Sequence, residues 1–411
     1  MIPAVLRAEP QFRLLFTGQA LSALGDRITF IALPFAVLSI GGGAGDIGLV
    51  VATATLPFAI FALLGGVWAD RLPRHRVMLA SDLVRLVTQA AIAALLLTGS
   101  AEIWHLVALM AVFGTADAFF QPAFVGLMPA VVAPERLQEA NALRVFSMST
   151  SLVAGPALAG ALVAGLGPGA AIAVDSATFA VSALALMRLR PQVVERVVEA
   201  DSGLLAQLRA GFDEIRSRSW VKAFLGVLAA YHVVVLPAIF VLGPVLAERE
   251  LGGASSWAVV TAAFGAGSIV GDLIVLRVKP SRPLLVAGVA FVVASCQAAI
   301  VGSGLPLAGI AGLEAITGVA VSVGFTLWET TLQEQIPEHA LSRVSSWDYL
   351  VTSGTMPIGL ALAGPLEAAL GLHGALLLET LIGVPVACCV LLVPAVREIR
   401  RGRAPLVLAS G

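Results

Sequence analysis

The sequence predicts an all-α integral membrane protein whose twelve transmembrane helices form two pseudo-symmetric six-helix bundles. Three observations predict it. Apolar residues make up 58% of the 411-residue chain and charged residues only 12%, about half the charge with which a soluble domain covers its surface. Apolar runs of roughly 20 residues, enough to cross a bilayer, recur from Phe12 to Pro394. The basic residues gather in alternate connections between those runs. The net charge of −1 gives no sign of a nucleic-acid partner, and none is expected.

In the first half the runs are 14–39, 46–69, 77–99, 103–126, 143–165 and 169–189. Each ends where Gly, Pro or charge enters. SIGGGAGD (39–46) follows the first, WADRLPRHR (68–76) closes the second, and LTGSAE (97–102) follows the third. VAPERLQEANAL (132–143) follows the fourth and GLGPG (165–169) the fifth. The second half runs 221–246, 256–276, 284–302, 306–329, 348–368 and 373–394, with GSGLP (302–306) among its turns. One long polar interval, 188–219, parts the halves. The expected domains are an N-terminal bundle, 1–190, a cytoplasmic linker, 191–219, and a C-terminal bundle with a short basic tail, 220–411. Apolar residues spaced among charges give the linker amphipathic helical character suited to a membrane surface; a flexible tether would serve as well.

With both termini in the cytoplasm, 22 of the 25 basic residues lie on cytoplasmic flanks, Arg249 alone in an outer loop, and Arg27 and Arg85 within spans. Basic loops resist translocation, so a multi-pass protein of the cell membrane is expected, with lipid as its surroundings. Trp68, Trp104, Trp220, Trp257, Trp328 and Trp347 fall near span ends, where an indole can sit among headgroups. Cys296, Cys388 and Cys389 lie inside apolar runs and read as buried small hydrophobes.

The halves echo one another. At a displacement of 206 residues, Gly65, Arg71 and Arg76 meet Gly271, Arg277 and Arg282, and at 203, Pro134-Glu135 overlays Pro337-Glu338. Transporters built from such repeats hold their substrate near the bilayer midplane.

The stretch GGVWADRLPRHR (65–76) concentrates Asp70, Arg71, Arg74 and Arg76 between two apolar runs. Gly65 and Gly66 permit close helix contact, Asp70 can accept from a helix N-terminus, and the arginines hold the loop on the cytoplasmic side. The stretch resembles the signature loop between helices two and three of the major facilitator superfamily. The resemblance extends from FRLLFTGQALSALGDRI (12–28) to the twelfth span. Within the superfamily, GQALSALGDRITFIALPFAV (18–37), Asp82 to Arg85, and QPAFVGLMPAVVAPERLQEANAL (121–143) are most similar to the branch of macrolide-efflux proteins and enterobactin exporters. The resemblance implies a cytoplasmic gate in which Asp70 is the latch acid and Arg71 and Arg76 its partners, beside Gly65. A topogenic basic loop without a switching role is the plainer reading. Leu276 stands opposite Asp70 in the second half, so a latch there is weaker or differently made.

Charges within spans are costly and mark function or a buried partner. Asp26 and Arg27 lie deep in the first span; adjacent helical residues point about 100° apart, so one faces a cavity while the other braces a neighbour. Asp26 reads equally as a coupling or substrate-binding acid and as half of an ion pair; Arg27, which does not release a proton, leans to structure. Asp82 and Arg85, three apart, share one face and read as an internal ion pair or charge relay. Asp117 and Glu314 are the next candidates for proton coupling or for lining the substrate cavity. Asp175 and Glu379 also lie within spans, and Asp272, Glu329 and Asp348 near the inner rim.

The fifth span carries SLVAGPALAG (151–160). Ser151, Gly155 and Gly160 permit tight crossing and Pro156 a bend. In the superfamily, a glycine-rich stretch at this place accompanies drug/proton exchange, but Ser151 and Ala159 stand where that pattern prefers glycine.

No phosphate-binding Gly-Lys-Ser/Thr loop and no G-x-S-x-G elbow occurs, and the five histidines lack metal-ligand spacing. No enzyme activity, cofactor or metal is therefore expected. The function expected is a secondary active exporter of amphipathic drug-like or siderophore-like small molecules, with protons as coupling ion and a monomeric chain. The alternatives are an importer of a small polar nutrient, against which weighs the scarcity of Asn, Gln and Tyr in the spans (the chain has two tyrosines in all), and a non-transport protein such as a lipid mover.

Overall fold

A computed structural model describes residues 3–190 and 204–401, and those residues form helices and short connections only. The first six long helices are α1 (Pro10–Ser39), α2 (Ala44–Arg71), α3 (Arg74–Leu97), α4 (Ile103–Leu127), α5 (Leu137–Leu166) and α6 (Pro168–Arg188). The second six are α7 (Ser219–Leu251), α8 (Ala254–Arg277), α9 (Pro283–Val301), α10 (Leu307–Gln335), α11 (338–370) and α12 (372–390). The last two are one helical stretch broken at Gly371, whose φ of 72° and ψ of 168° are not helical. Among the described residues, 10 helices are long and apolar enough to cross a membrane. The stretch broken at Gly371 supplies two spans, and α2, 28 residues long, completes the twelve.

The turns alternate in kind. After α1, α3, α5, α7, α9 and α11 the chain reverses on a glycine with positive φ: Gly41, Gly99, Gly167, Gly252 with Gly253, Gly304 and Gly371. Only glycine takes that conformation cheaply, and it lets two helices meet over a few residues. Among the described residues, no connection after an even-numbered helix uses one.

Contacts divide the chain into two compact units: Met1–Val198 with Gly243–Ala262 and Leu360–Pro365, and Glu199–Leu242 with Ala263–Gly359 and Leu366–Gly411. In the first unit α1 packs on α5 and α6, α3 on α4 and α6, and α2 on α4. Small residues bring these axes together: a Cβ on Gly114 of α4 would strike the carbonyl of Ala54 on α2. In the second unit α9 packs on α10, around a core containing Trp220, Phe224, Phe291 and Trp328. Of the linker, 191–203 lies outside the described residues. Leu204–Ser217 is helical, and Phe212 on it meets Trp347 of α11 with ring centres 5.6 Å apart.

Two expectations are corrected. Trp220, Trp257 and Trp328 are buried in protein rather than set among headgroups. Trp328 stacks on Phe224 at 4.9 Å and donates its indole N–H to Asp348 at 2.9 Å, so its polar tip is satisfied inside the fold. Cys388 and Cys389 are exposed on α12 instead of buried, and Cys296 is half-buried; a thiol tolerates hydrocarbon as readily as a protein core.

Candidate substrate cavity

The first unit encloses a cavity of ≈ 290 Å³ lined by α1, α3, α4 and α5 together with the turn after α4, at the lower end of the range for small-molecule sites. Its apolar wall includes Phe12, Phe16, Phe30, Phe120 and Phe124; its polar groups are Gln19, Asp26, Arg27, Arg85, Gln121 and Arg144. Asp26 lies about 24 Å along α1, a helix about 45 Å long at 1.5 Å per residue. Its side chain is exposed to the cavity at that depth, and no hydrogen bond or ion pair joins it to a described residue. Arg27 touches the cavity too, but its stem leans on α5, where a Cβ on Gly155 would collide with Arg27 Cβ. Gly155 is therefore required by the arginine beside it.

Arg85 forms the floor. It is 2% exposed, and its guanidinium pairs with Asp82 one turn back and with Asp117 of α4 at 3.2 Å. The rings of Phe120 and Phe179 lie 4.0 and 4.7 Å from its central carbon, a cation–π arrangement in a desolvated place. Asp82 Oδ2 accepts from the Ser182 hydroxyl at 2.6 Å, and that hydroxyl accepts from Gln19 Nε2 at 2.9 Å. The charge cluster thus runs by hydrogen bonds across α4, α3 and α6 back to the cavity wall on α1. Asp175 of α6 lies behind α1, fully buried, taking Thr29 Oγ1 at 2.6 Å and Thr178 Oγ1 at 3.3 Å. A Cβ on Gly25 would strike this carboxylate.

The expected site residues separate into groups. Asp26, Arg27, Asp82, Arg85 and Asp117 come together around one cavity. Ser151 lines its edge, and Gly155, Pro156 and Gly160 are buried in the same helix, Gly160 against Ala258. Glu314 is on α10 in the second unit, 1% exposed, and lines no part of this cavity. Arg76 is exposed at the start of α3. Gly65, Asp70 and Arg71 lie on α2, and the side chains of Asp70 and Arg71 are outside the described residues. Gln19, Gln121, Ser182 and the phenylalanines were not singled out from sequence. A glutamine in an apolar run is itself a signal, since an amide needs a partner or water there; the phenylalanines carry none, because they look like any core residue.

The chain has relatives both in sequence and in fold. The family model described as Major Facilitator Superfamily matches residues 15–360. The multidrug efflux pump Tap of Mycolicibacterium fortuitum is 27% identical over 406 residues, covering 95% of this chain and 97% of the pump. The enterobactin exporter EntS of Salmonella typhi is 27% identical over 376 residues, covering 89% of this chain and 87% of that one. Among solved structures, the nucleoside transporter NupG superposes with a TM-score of 0.70 at 13% identity, over 95% of this chain and 100% of its own. A bacterial homologue of the iron transporter ferroportin gives 0.65 at 18% identity, over 94% and 100%. With twelve apolar helices and a family model spanning most of them, the chain belongs to the major facilitator superfamily.

Proposed function

We propose that this protein is a proton-coupled exporter of amphipathic drug-like or siderophore-like small molecules, working by alternating access in the cell membrane as a monomer with both termini cytoplasmic. The domains are assigned as in the sequence, bundles 1–190 and 220–411 joined by the linker 191–219. The observation that carries the reading is the cavity, with an aromatic wall for an apolar body and Asp26 standing unpaired at mid-membrane depth. A carboxylate there needs water, a cation or a proton, and exchanging one for another is the coupling step. The efflux names of the relatives support the direction. Asp70, with Arg71 and Arg76, is assigned to the cytoplasmic gate, and the Arg85 cluster to holding the cavity open.

The test is transport into inverted membrane vesicles with an acidified lumen, using a panel of cationic, neutral and anionic amphipathic compounds against a polar sugar and an amino acid. Accumulation of amphipathic compounds that collapses with the proton gradient is expected. Gradient-dependent movement of the polar nutrients alone would replace this reading with import, and movement of nothing in the panel would remove it.

A further inference from the structure

Four ionisable side chains line the cavity of the first unit: Asp26, Arg27, Arg85 and Arg144. Arg85 is engaged by Asp82 and Asp117, and Asp26 and Arg27 are neighbours in the chain. Arg144 of α5 stands apart from both groups. Arg27 packs against Gly155, and residues 144 and 155 are three helical turns apart, so Arg144 lies about 16 Å nearer the start of α5. It is only half-buried, and solvent ions reach it. The separation exceeds the Debye length of roughly 8 Å in physiological salt, so that end of the cavity carries the arginine's charge with little correction from Asp26.

Nothing along α5 cancels this charge. The residues one turn away on either side are Ala140, Asn141, Ser147 and Met148, none of them acidic. Glu139, the acid of this helix, accepts from the Val5 backbone N–H at 3.1 Å instead. Arg144 donates to the Met148 sulfur at 3.4 Å, a weak acceptor, and among the described residues no carboxylate pairs with it. Ser147 and Met148 line the cavity beside it, so the guanidinium is on the cavity face of α5. Phe120 and Phe124 stack in the same wall with ring centres 6.1 Å apart, a surface for a flat apolar body.

We propose that the cavity takes amphipathic anions: an apolar ring system lies against Phe120 and Phe124, and its carboxylate or sulfonate is held by Arg144. A guanidinium presents a planar pair of N–H donors that fits such a group, and one without a counter-charge repels cationic amphiphiles. Arg144 is thus a specificity residue, and Asp26 keeps the coupling role assigned above. This rests on the exporter reading, yet binding tests it without a gradient. The probes are anilinonaphthalene sulfonate and phenylnaphthylamine, which share their rings and differ in the sulfonate. Their fluorescence reads saturable binding to the purified protein above that of protein-free micelles of a neutral detergent. Wild type should bind the sulfonate several-fold more tightly than the neutral amine. Arg144→Gln should weaken sulfonate binding roughly tenfold, as the loss of a charged hydrogen bond does, and leave the amine unchanged. Arg144→Lys should keep part of the preference. Ser147→Glu puts a carboxylate one turn from Arg144 and should suppress sulfonate binding with the arginine in place, which covers an Arg144→Gln protein that fails to fold. Equal affinity of wild type for the two probes, or a preference that survives either substitution in a folded protein, would overturn the proposal. An intact preference in a protein that moves neither compound in vesicles would count against the export reading alone.

Discussion

Arg85 holds two carboxylates that could not otherwise share the interior. Asp82 and Asp117 reach it from two helices, and two aromatic faces close over it. Removing the cation leaves both acids without compensation, so Arg85→Gln should destabilise the protein by roughly 3–5 kcal/mol, read as a lowered unfolding temperature in detergent. Adding Asp82→Asn to that variant should recover part of the loss, a coupling that a double-mutant cycle measures; equal instability in single and double variants would show that the guanidinium matters by its bulk alone. Asp26 differs because it has no partner to lose. Asp26→Asn should unfold like wild type yet lose nearly all gradient-dependent export, and proton release on substrate addition should fall. Full release in the variant would return Asp26 to a structural role. The pairing of Asp82 with Arg85 was legible from their spacing of three. Their third partner was not, because sequence does not say which residue of α4 faces which of α3.

At the scale of elements, the helices and their turns were legible because hydropathy, length and glycine punctuation all report the same boundaries. Packing faces were not. Trp328 and Trp257 looked like interface anchors by position, but burial depends on which side of the helix meets a neighbour, and membrane helices are apolar all round. Small residues decide those contacts instead. Gly318 of α10 admits the carbonyl of Phe264 on α8, and Gly267 of α8 admits that of Ala315. A side chain at either place must push a backbone away. Gly318→Val should therefore cost roughly 1–3 kcal/mol and lower the unfolding temperature, whereas Gly312→Ala on the same helix, where a Cβ meets nothing within 4 Å, should not. Equal effects would mean that helix propensity rather than packing sets the stability of α10.

For the whole molecule, the two kinds of connection offer a test of the proposed orientation. Six connections turn tightly on glycine, and the basic residues crowd into the others. A membrane-impermeant maleimide applied to cells should label Ser100→Cys, between α3 and α4, and not Lys279→Cys, between α8 and α9, in a background lacking the native cysteines. The same reagent tests the assigned gate. Asp70 stands at the end of α2, where a carboxylate can accept from a neighbouring helix N-terminus and hold arginines of its own loop. If those bonds form only while the cytoplasmic side is shut, deleting the charge favours the state open to the cytoplasm. Ser147 lines the cavity, so Ser147→Cys reports how often reagent enters. In inverted vesicles, where the cytoplasmic face meets the reagent, Asp70→Asn should speed labelling of Ser147→Cys several-fold and slow export, while Ser100→Cys and Lys279→Cys keep their sidedness. Changed sidedness would mean that the loop acts on insertion. Unchanged labelling with normal export would leave Asp70 as part of a topological marker, and the switch would have to be sought in the connection between α4 and α5, where Arg136 pairs with Glu9 at 3.6 Å.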